Sequence, residues 1–316
     1  SYKQVIEYAP GDVSPDSRPP PDWCNAIPNA TSAAATVTVT TKSGSTVLGS
    51  KSKTLTIRVP SIIVPSAGTL SVTRVDGAVP SGWGIYVQGY SKATVKLTGA
   101  AGSYGSTIKS YSLSGGGYSS ASSSFTTGVL KTAGTVSFTG KVTDSRGRTA
   151  TATQSITVQA YSLPKFGAVR VYRCNAAGAE DSTGGYVAIQ ASYSYTSLGG
   201  KNTCSGSYRL ARVGGGGSAL TGSFASGTKV IVPGVDGDYS WSVTLALKDA
   251  LNTTTYNTEV STAATTMDFL EGGKGVAVGK VAEAENLLDV AFDVRFRGEV
   301  AFDAPAAVLS DLGIGD

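Results

Sequence analysis

Histidine is absent from this sequence, methionine occurs once, cysteine three times, and charged residues make up only 15% of its 316 residues. Each shortage removes a class of chemistry. Without histidine there is no histidine-based triad, and neither serine nor cysteine has an evident general base to activate it. Cys24, Cys174 and Cys204 lack the Cys-x-x-Cys spacing and the partner ligands of a zinc site, and they do not form the dense, even-numbered disulfide framework of small secreted domains. Cys174 and Cys204 fall in one predicted domain, so a bridge between them stays open beside the default of free buried thiols. No apolar run reaches the roughly 18–20 residues of a membrane helix, and the amino terminus lacks the basic-then-apolar layout of a signal peptide. The start at Ser1 fits a processed fragment. No metal, no cofactor and no membrane insertion are expected.

The net charge of +4 arises from 26 basic and 22 acidic residues, with the bases scattered as singletons such as Lys42, Lys51, Lys92 and Lys141. Nucleic-acid binding needs basic residues clustered on one face. The nearest approach, Arg146 and Arg148 in Asp144-Ser-Arg-Gly-Arg, reads as a turn. Carboxylate pairs suited to glycoside hydrolysis are confined to Glu180-Asp181 and Asp236-Gly-Asp238, and both have turn composition. Gly214 to Gly217 and Gly272-Gly-Lys-Gly lack the spacing and strand-to-helix context of a phosphate loop. The sequence therefore predicts a protein that is not an enzyme.

What is present is β-forming. Forty glycines and abundant Ser and Thr lower helix propensity, while Val, Ile, Thr and Tyr recur in short runs bounded by Gly, Asn and Asp. The expected fold is all-β, with tandem immunoglobulin-like sandwiches and a C-terminal β-strand oligomerisation segment. Residues 1–60 read as a Pro-rich connector followed by a hairpin, with period-two alternation running through Ala35-Thr-Val-Thr-Val-Thr-Thr and Lys53-Thr-Leu-Thr-Ile-Arg-Val around a Ser43-Gly-Ser turn. Two strands are thin for an independent domain, so this part reads as a partial sandwich. Residues 61–159 carry six or so short strands at sandwich spacing, and residues 160–268 carry a second set. The closing hairpins of the two sets share a design: an aromatic within the strand (Phe138, Trp241), an Asp at the turn (Asp144, Asp249) and a Thr-rich return, at spacings that differ by two residues. Trp83 and Trp241 are predicted to lie in strands and face the core. Tyr104 and Tyr118, set among Gly and Ser in predicted loops, are the candidate faces for stacking on a sugar ring.

Residues 269–316 carry the clearest pattern. Leu288, Val290, Phe292, Val294, Phe296, Val300 and Phe302 occupy alternate positions, while Asp289, Asp293, Arg295, Arg297 and Glu299 lie between them. A segment this short cannot bury seven large side chains within itself. Burial against identical copies is the expected solution, with docking onto the chain's own preceding sandwich as the alternative.

Several stretches also resemble minor structural proteins of siphophage tails. They are Ile27-Pro-Asn-Ala-Thr-Ser, Val59-Pro-Ser, Ser81-Gly-Trp-Gly-Ile-Tyr-Val-Gln-Gly-Tyr-Ser-Lys and Val142-Thr-Asp-Ser-Arg-Gly-Arg-Thr-Ala. Phe269-Leu-Glu-Gly-Gly-Lys-Gly-Val-Ala-Val-Gly-Lys-Val-Ala-Glu with Leu288-Asp-Val is similar to the segment that leads into phage fibre trimerisation regions. The resemblance implies a tail-tip, fibre or baseplate component of the virion, made in the host cytoplasm. It implies a homotrimer joined through the C-terminal segment, with other tail proteins and a host cell-surface glycan as partners, and it brings no catalytic residues. A monomeric cell-surface immunoglobulin-like adhesin or carbohydrate-binding module is the alternative.

Overall fold

A computed structural model describes residues 21–75, 77–262, 267–280, 282–295 and 297. The chain forms two compact units, Ser1–Leu163 with Tyr195–Thr203, and Pro164–Ser194 with Cys204–Asp316. The expected all-β fold is the fold found, with short 3-10 turns at Pro21–Ala26 and Ser81–Trp83 as the helical elements among the described residues.

In the first unit, β1 (Ser32–Ser43) and β2 (Thr46–Arg58) form a separate hairpin. The sandwich follows, from β3 (Thr69–Val75), β4 (Tyr86–Val87), β5 (Lys92–Thr98), β6 (Ile108–Gly115), β7 (Tyr118–Ser120), β8 (Ser124–Thr126), β9 (Gly134–Asp144) and β10 (Thr149–Gln159). One sheet has the order β3-β5-β8 and the other β4-β10-β9-β6-β7. Strand β9 shows why the sequence folds this way. Val136, Phe138, Gly140, Val142 and Asp144 are buried at alternate positions, and the residues between them face outward or lie half-buried. Leu70 and Leu97 from one sheet meet Leu113 of the other over Gly140, where a Cβ would stand 3.1 Å from all three side chains. Gly140 therefore sets how closely the two layers approach.

The second unit repeats the plan with β11 (Lys165–Cys174), β12 (Tyr186–Ser194), β13 (Cys204–Arg212), β14 (Leu220–Phe224), β15 (Lys229–Pro233), β16 (Trp241–Asp249) and β17 (Thr253–Val260). Its sheets are β11-β12-β15 and β14-β13-β16-β17. Trp241, Val243, Leu245, Leu247 and Asp249 are buried in alternation along β16, as their counterparts are along β9. Because strand facing has a period of two, the two-residue difference in spacing leaves both the aromatic and the aspartate pointing inward. The turn chemistry is shared too: Asp144 Oδ1 accepts from the N–H groups of Arg146 and Arg148, and Asp249 Oδ1 from those of Leu251 and Asn252. Trp83 departs from expectation. It closes the Ser81–Trp83 turn, half-buried, because left-handed Gly84 (φ 61°) ends the segment before a strand begins at Tyr86. Cys24, Cys174 and Cys204 are all free.

The C-terminal segment forms a small sheet of β18 (Met267–Phe269), β19 (Val276–Val278) and β20 (Leu288–Val290), with β19 central. The long strand expected from Leu288 through Phe302 is not what the described residues form. Strand β20 ends at Val290, and the chain bends at Ala291–Phe292 so that the Phe292 ring lies against Gly279, where a Cβ would come within 2.2 Å of it. Phe296, Val300 and Phe302 lie outside the described residues.

The Phe138 ring is fully buried at the centre of the first sandwich. Phe138→Ala is expected to lower unfolding free energy by about 3–5 kcal/mol, measured by denaturant titration.

Candidate functional site

The sequence-predicted site residues do not converge on a catalytic centre, and the described residues hold no group of three or more Cys, Asp or Glu suited to a metal ion. The candidate carboxylates are occupied with turns and ion pairs. Asp181 Oδ1 accepts from the N–H and hydroxyl of Thr183 at 3.0 and 2.9 Å, and Glu180 pairs with Arg170 at 2.8 Å on the surface. Asp236 Oδ1 accepts from the N–H of Asp238, and Oδ2 pairs with Arg212 at 3.1 Å. Arg212 lies over the Tyr239 ring at 4.0 Å and the Trp241 ring at 5.5 Å, beside Gly217. The glycine tract and the Asp-Gly-Asp turn are thus neighbours, joined by an arginine that caps the Trp241 end of the core.

Tyr104 and Tyr118 are not one platform. They flank opposite ends of β6, about 20 Å of strand apart at roughly 3.3 Å per residue. Tyr118 is half-buried, and its hydroxyl donates to the carbonyl of Val129 at 2.9 Å. Tyr104 is 39% exposed and takes left-handed backbone angles (φ 47°), uncommon for a tyrosine. Its carbonyl accepts from Arg146 Nη2, an interaction that accounts for its turn without any ligand.

That bond belongs to a larger arrangement. Arg146, buried at 7% exposure, donates from Nε to Ile27 O (2.8 Å), from Nη1 to Ser103 O (2.6 Å) and from Nη2 to Cys24 O (2.9 Å) and Tyr104 O. Arg148 donates from Nη2 to Val59 O (2.6 Å) and from Nη1 to Pro60 O and Ile63 O. Ser145 Oγ donates to Pro28 O at 2.6 Å. The turn read from the sequence as a plain reversal is a clasp on two chain segments more than 80 residues away. A small core of Trp23, Cys24, Ile27, Val59 and Ile63 lies there, with Ala33 and Ile57 of the hairpin root packed against it. Burial pushes the Cys24 thiol up from its ordinary pKa, against the pull of Arg146 and Arg148. Arg173 plays a matching part in the second unit, donating to the carbonyls of Ser261, Gly184, Val235, Asp236 and Tyr239. Burial lowers its pKa, and Asp236 partly restores it.

Two surfaces remain unfinished. The hairpin is exposed at every position from Thr36 to Thr56, including Val37, Val39, Val47, Leu48 and Leu55. In the C-terminal sheet Met267, Phe269, Leu287, Leu288, Phe292 and Val294 are 48–66% exposed, while Val290 is half-buried. The buried apolar side chains described there are the alanines Ala277 and Ala282. No described helix is long and apolar enough to cross a membrane.

Residues 12–178 match the model of the family described as siphovirus protein of unknown function (DUF859), more than half of the chain, and the chain belongs to that family. None of the curated proteins matches it. Among solved structures it is similar to a Ca2+-stabilized adhesin with which an Antarctic bacterium binds ice (17% identity, 74% of this chain and 59% of that one, TM-score 0.40). It is also similar to the three N-terminal domains of the highly immunogenic outer capsid protein of bacteriophage RB49 (13%, 72% and 88%, 0.30) and to fibronectin(III)-like modules of Clostridium thermocellum (11%, 61% and 94%, 0.27). The chain spans about 59% of the adhesin's length.

Arg146→Met leaves the carbonyls of Cys24, Ile27, Ser103 and Tyr104 without this donor and is expected to cost about 3 kcal/mol or more. Peptide mapping after native thiol labelling should show Cys24 modified about tenfold faster or more, with Cys174 unchanged.

Proposed function

We propose that this siphovirus protein is a structural and adhesive component of the virion tail, at its tip, fibre or baseplate, and that three copies join through the C-terminal segment. The observation that carries the reading is the set of large apolar side chains from Met267 to Val294 left in water by a sheet of three-residue strands. At about 25 cal/mol per Å² such a face favours burial strongly. The described part does not bury it on the chain's own sandwich: Leu288 is 66%, Phe292 60% and Val294 51% exposed. A second copy offers the same apolar face, and a closed ring of copies finishes all of them at once. The trimer itself follows the resemblance of this segment to those leading into fibre trimerisation regions. The sandwiches then act as spacers, and three copies multiply any weak contact with a host-wall glycan. Tyr104 is the more accessible of the two tyrosines for such a contact.

Light scattering of the intact chain should give a mass near three times 32.0 kDa, and a version ending at Thr266 should be a monomer. A monomeric intact chain would sink the trimer and favour a monomeric adhesin. The proposal includes no catalytic step, so host-wall polysaccharide incubated with the protein should release no reducing sugar. Release that disappears in Asp181→Asn or Asp238→Asn would overturn that part.

A further inference from the structure

The hairpin β1–β2 holds twelve cross-strand pairs and no third strand among the described residues. A two-stranded ribbon without a packed face is marginal in water. This one is also long, about 40 Å at roughly 3.3 Å per residue, and its root is fixed by the Arg146 and Arg148 clasp.

Its two faces differ. Directly paired residues share a face. On one face Ser32, Ala34, Thr36, Thr38 and Thr40 stand opposite Arg58, Thr56, Thr54, Ser52 and Ser50, with hydroxyl pairs Thr38–Ser52 at 2.7 Å and Thr40–Ser50 at 2.9 Å. On the other, Ala33 and Ala35 oppose Ile57 and Leu55 near the root, and Val37 and Val39 oppose Lys53 and Lys51 further out. Two hydroxyl pairs cross the first face, whereas the apolar and lysine face packs only at its root, where Ala33 and Ile57 meet the small core, and is exposed at Val37, Val39, Lys51, Lys53 and Leu55.

We infer that this hairpin is a docking arm for a different virion protein, one that adds a β-strand to a hairpin edge and brings carboxylates to Lys51 and Lys53. Charge selects that occupant. Residues 32–58 contain Lys42, Lys51, Lys53 and Arg58 and no Asp or Glu. Three hairpins laid together on this face would gather six lysines, Lys51 and Lys53 from each, with no counter-charge from residues 32–58, and lysines on an open edge are a known guard against pairing with like strands. The acidic C-terminal sheet of a second copy is a poorer partner. Its Asp289 and Glu283 hold Lys280 at 2.6 and 3.5 Å, Glu285 holds Lys274 at 3.7 Å, and Asp268 accepts from the N–H of Ala282. A contact of that kind is also heterologous, and it builds open chains unless it happens to close. A phosphate polymer would meet the lysines, yet it offers neither apolar cover for Val37, Val39 and Leu55 nor partners for the open rows of N–H and C=O groups on both edges. The inference rests on the reading of this protein as a virion component and is independent of the trimer.

The test places a photo-cross-linking residue at Val39, 66% exposed, in phage particles assembled with the altered chain. The expected adduct is a strand-forming peptide of another virion protein with Asp or Glu in its sequence. The Lys51→Glu/Lys53→Glu double variant should lower the adduct about tenfold, equivalent to about 1.4 kcal/mol, while Lys92→Glu/Lys96→Glu on the sandwich should leave it unchanged. Adducts only to other copies of this chain would overturn the inference, as would particles that contain the chain and give no adduct. If inorganic polyphosphate binds the purified chain and the same double variant abolishes that binding, with no protein adduct in the particle, a polyanion is the ligand and the inference fails. Absence of the chain from particles overturns the virion reading itself.

Discussion

The clasp of Arg146 and Arg148 on backbone carbonyls is the interaction on which the first unit's organisation rests. The hairpin has no core of its own, and its root core consists of Trp23, Cys24, Ile27, Val59 and Ile63. Such a cluster is too small to fix a segment against the conformational entropy it loses. Two guanidiniums anchored in the β9–β10 turn supply directional bonds to that cluster's carbonyls, and Asp144 sets the turn by accepting from the N–H groups of both arginines. A charge buried in this way is tolerable because its donors are satisfied. The sandwich core positions the turn, the turn positions the arginines, and the arginines position the hairpin.

The second unit uses the same device at its exit. Arg173 takes the carbonyl of Ser261, just beyond β17, together with carbonyls of the Gly184 and Val235–Tyr239 loops. An immunoglobulin-like sandwich has loops at both ends with carbonyls that no ladder uses. A planar fork with five donors suits that task better than a lysine does. Both units therefore use arginine to fasten irregular chain to a regular core.

Period-two alternation made the long strands legible in the sequence. Strands β9 and β16 were readable because their buried residues alternate over five positions each, and the aspartates ending them had visible turn chemistry. Short strands such as β7, β8, β14 and β15 gave too few residues for a period to show. Trp83 lies outside a strand because Gly84's left-handed conformation, rather than hydrophobicity, decides that segment. The role of Arg146 and Arg148 was hidden for a different reason. Their acceptors are backbone carbonyls, which every residue carries, so no side-chain pattern marks them. Tyr118 shows the same limit, since Gly and Ser neighbours suggested an open loop while the Val129 carbonyl holds its hydroxyl. The apolar alternation of the C-terminal segment is plain in the sequence, but the bend after Val290 that brings the Phe292 ring against Gly279 leaves no mark on that alternation.

The two unfinished surfaces differ in what can finish them. Both are β-structures too thin to bury their own apolar side chains, so area alone would let either accept a copy of itself. Charge separates the two cases. The C-terminal sheet mixes signs and pairs Lys274 and Lys280 with its own carboxylates, which leaves the exposed apolar set as its main unmet feature and is why the proposed function gives it identical copies as partners. The hairpin carries cations only, so self-association there adds repulsion for every area gained. On the proposed reading, the C-terminal sheet joins copies of the chain and the hairpin joins a different protein, a division that would keep assembly closed and directional.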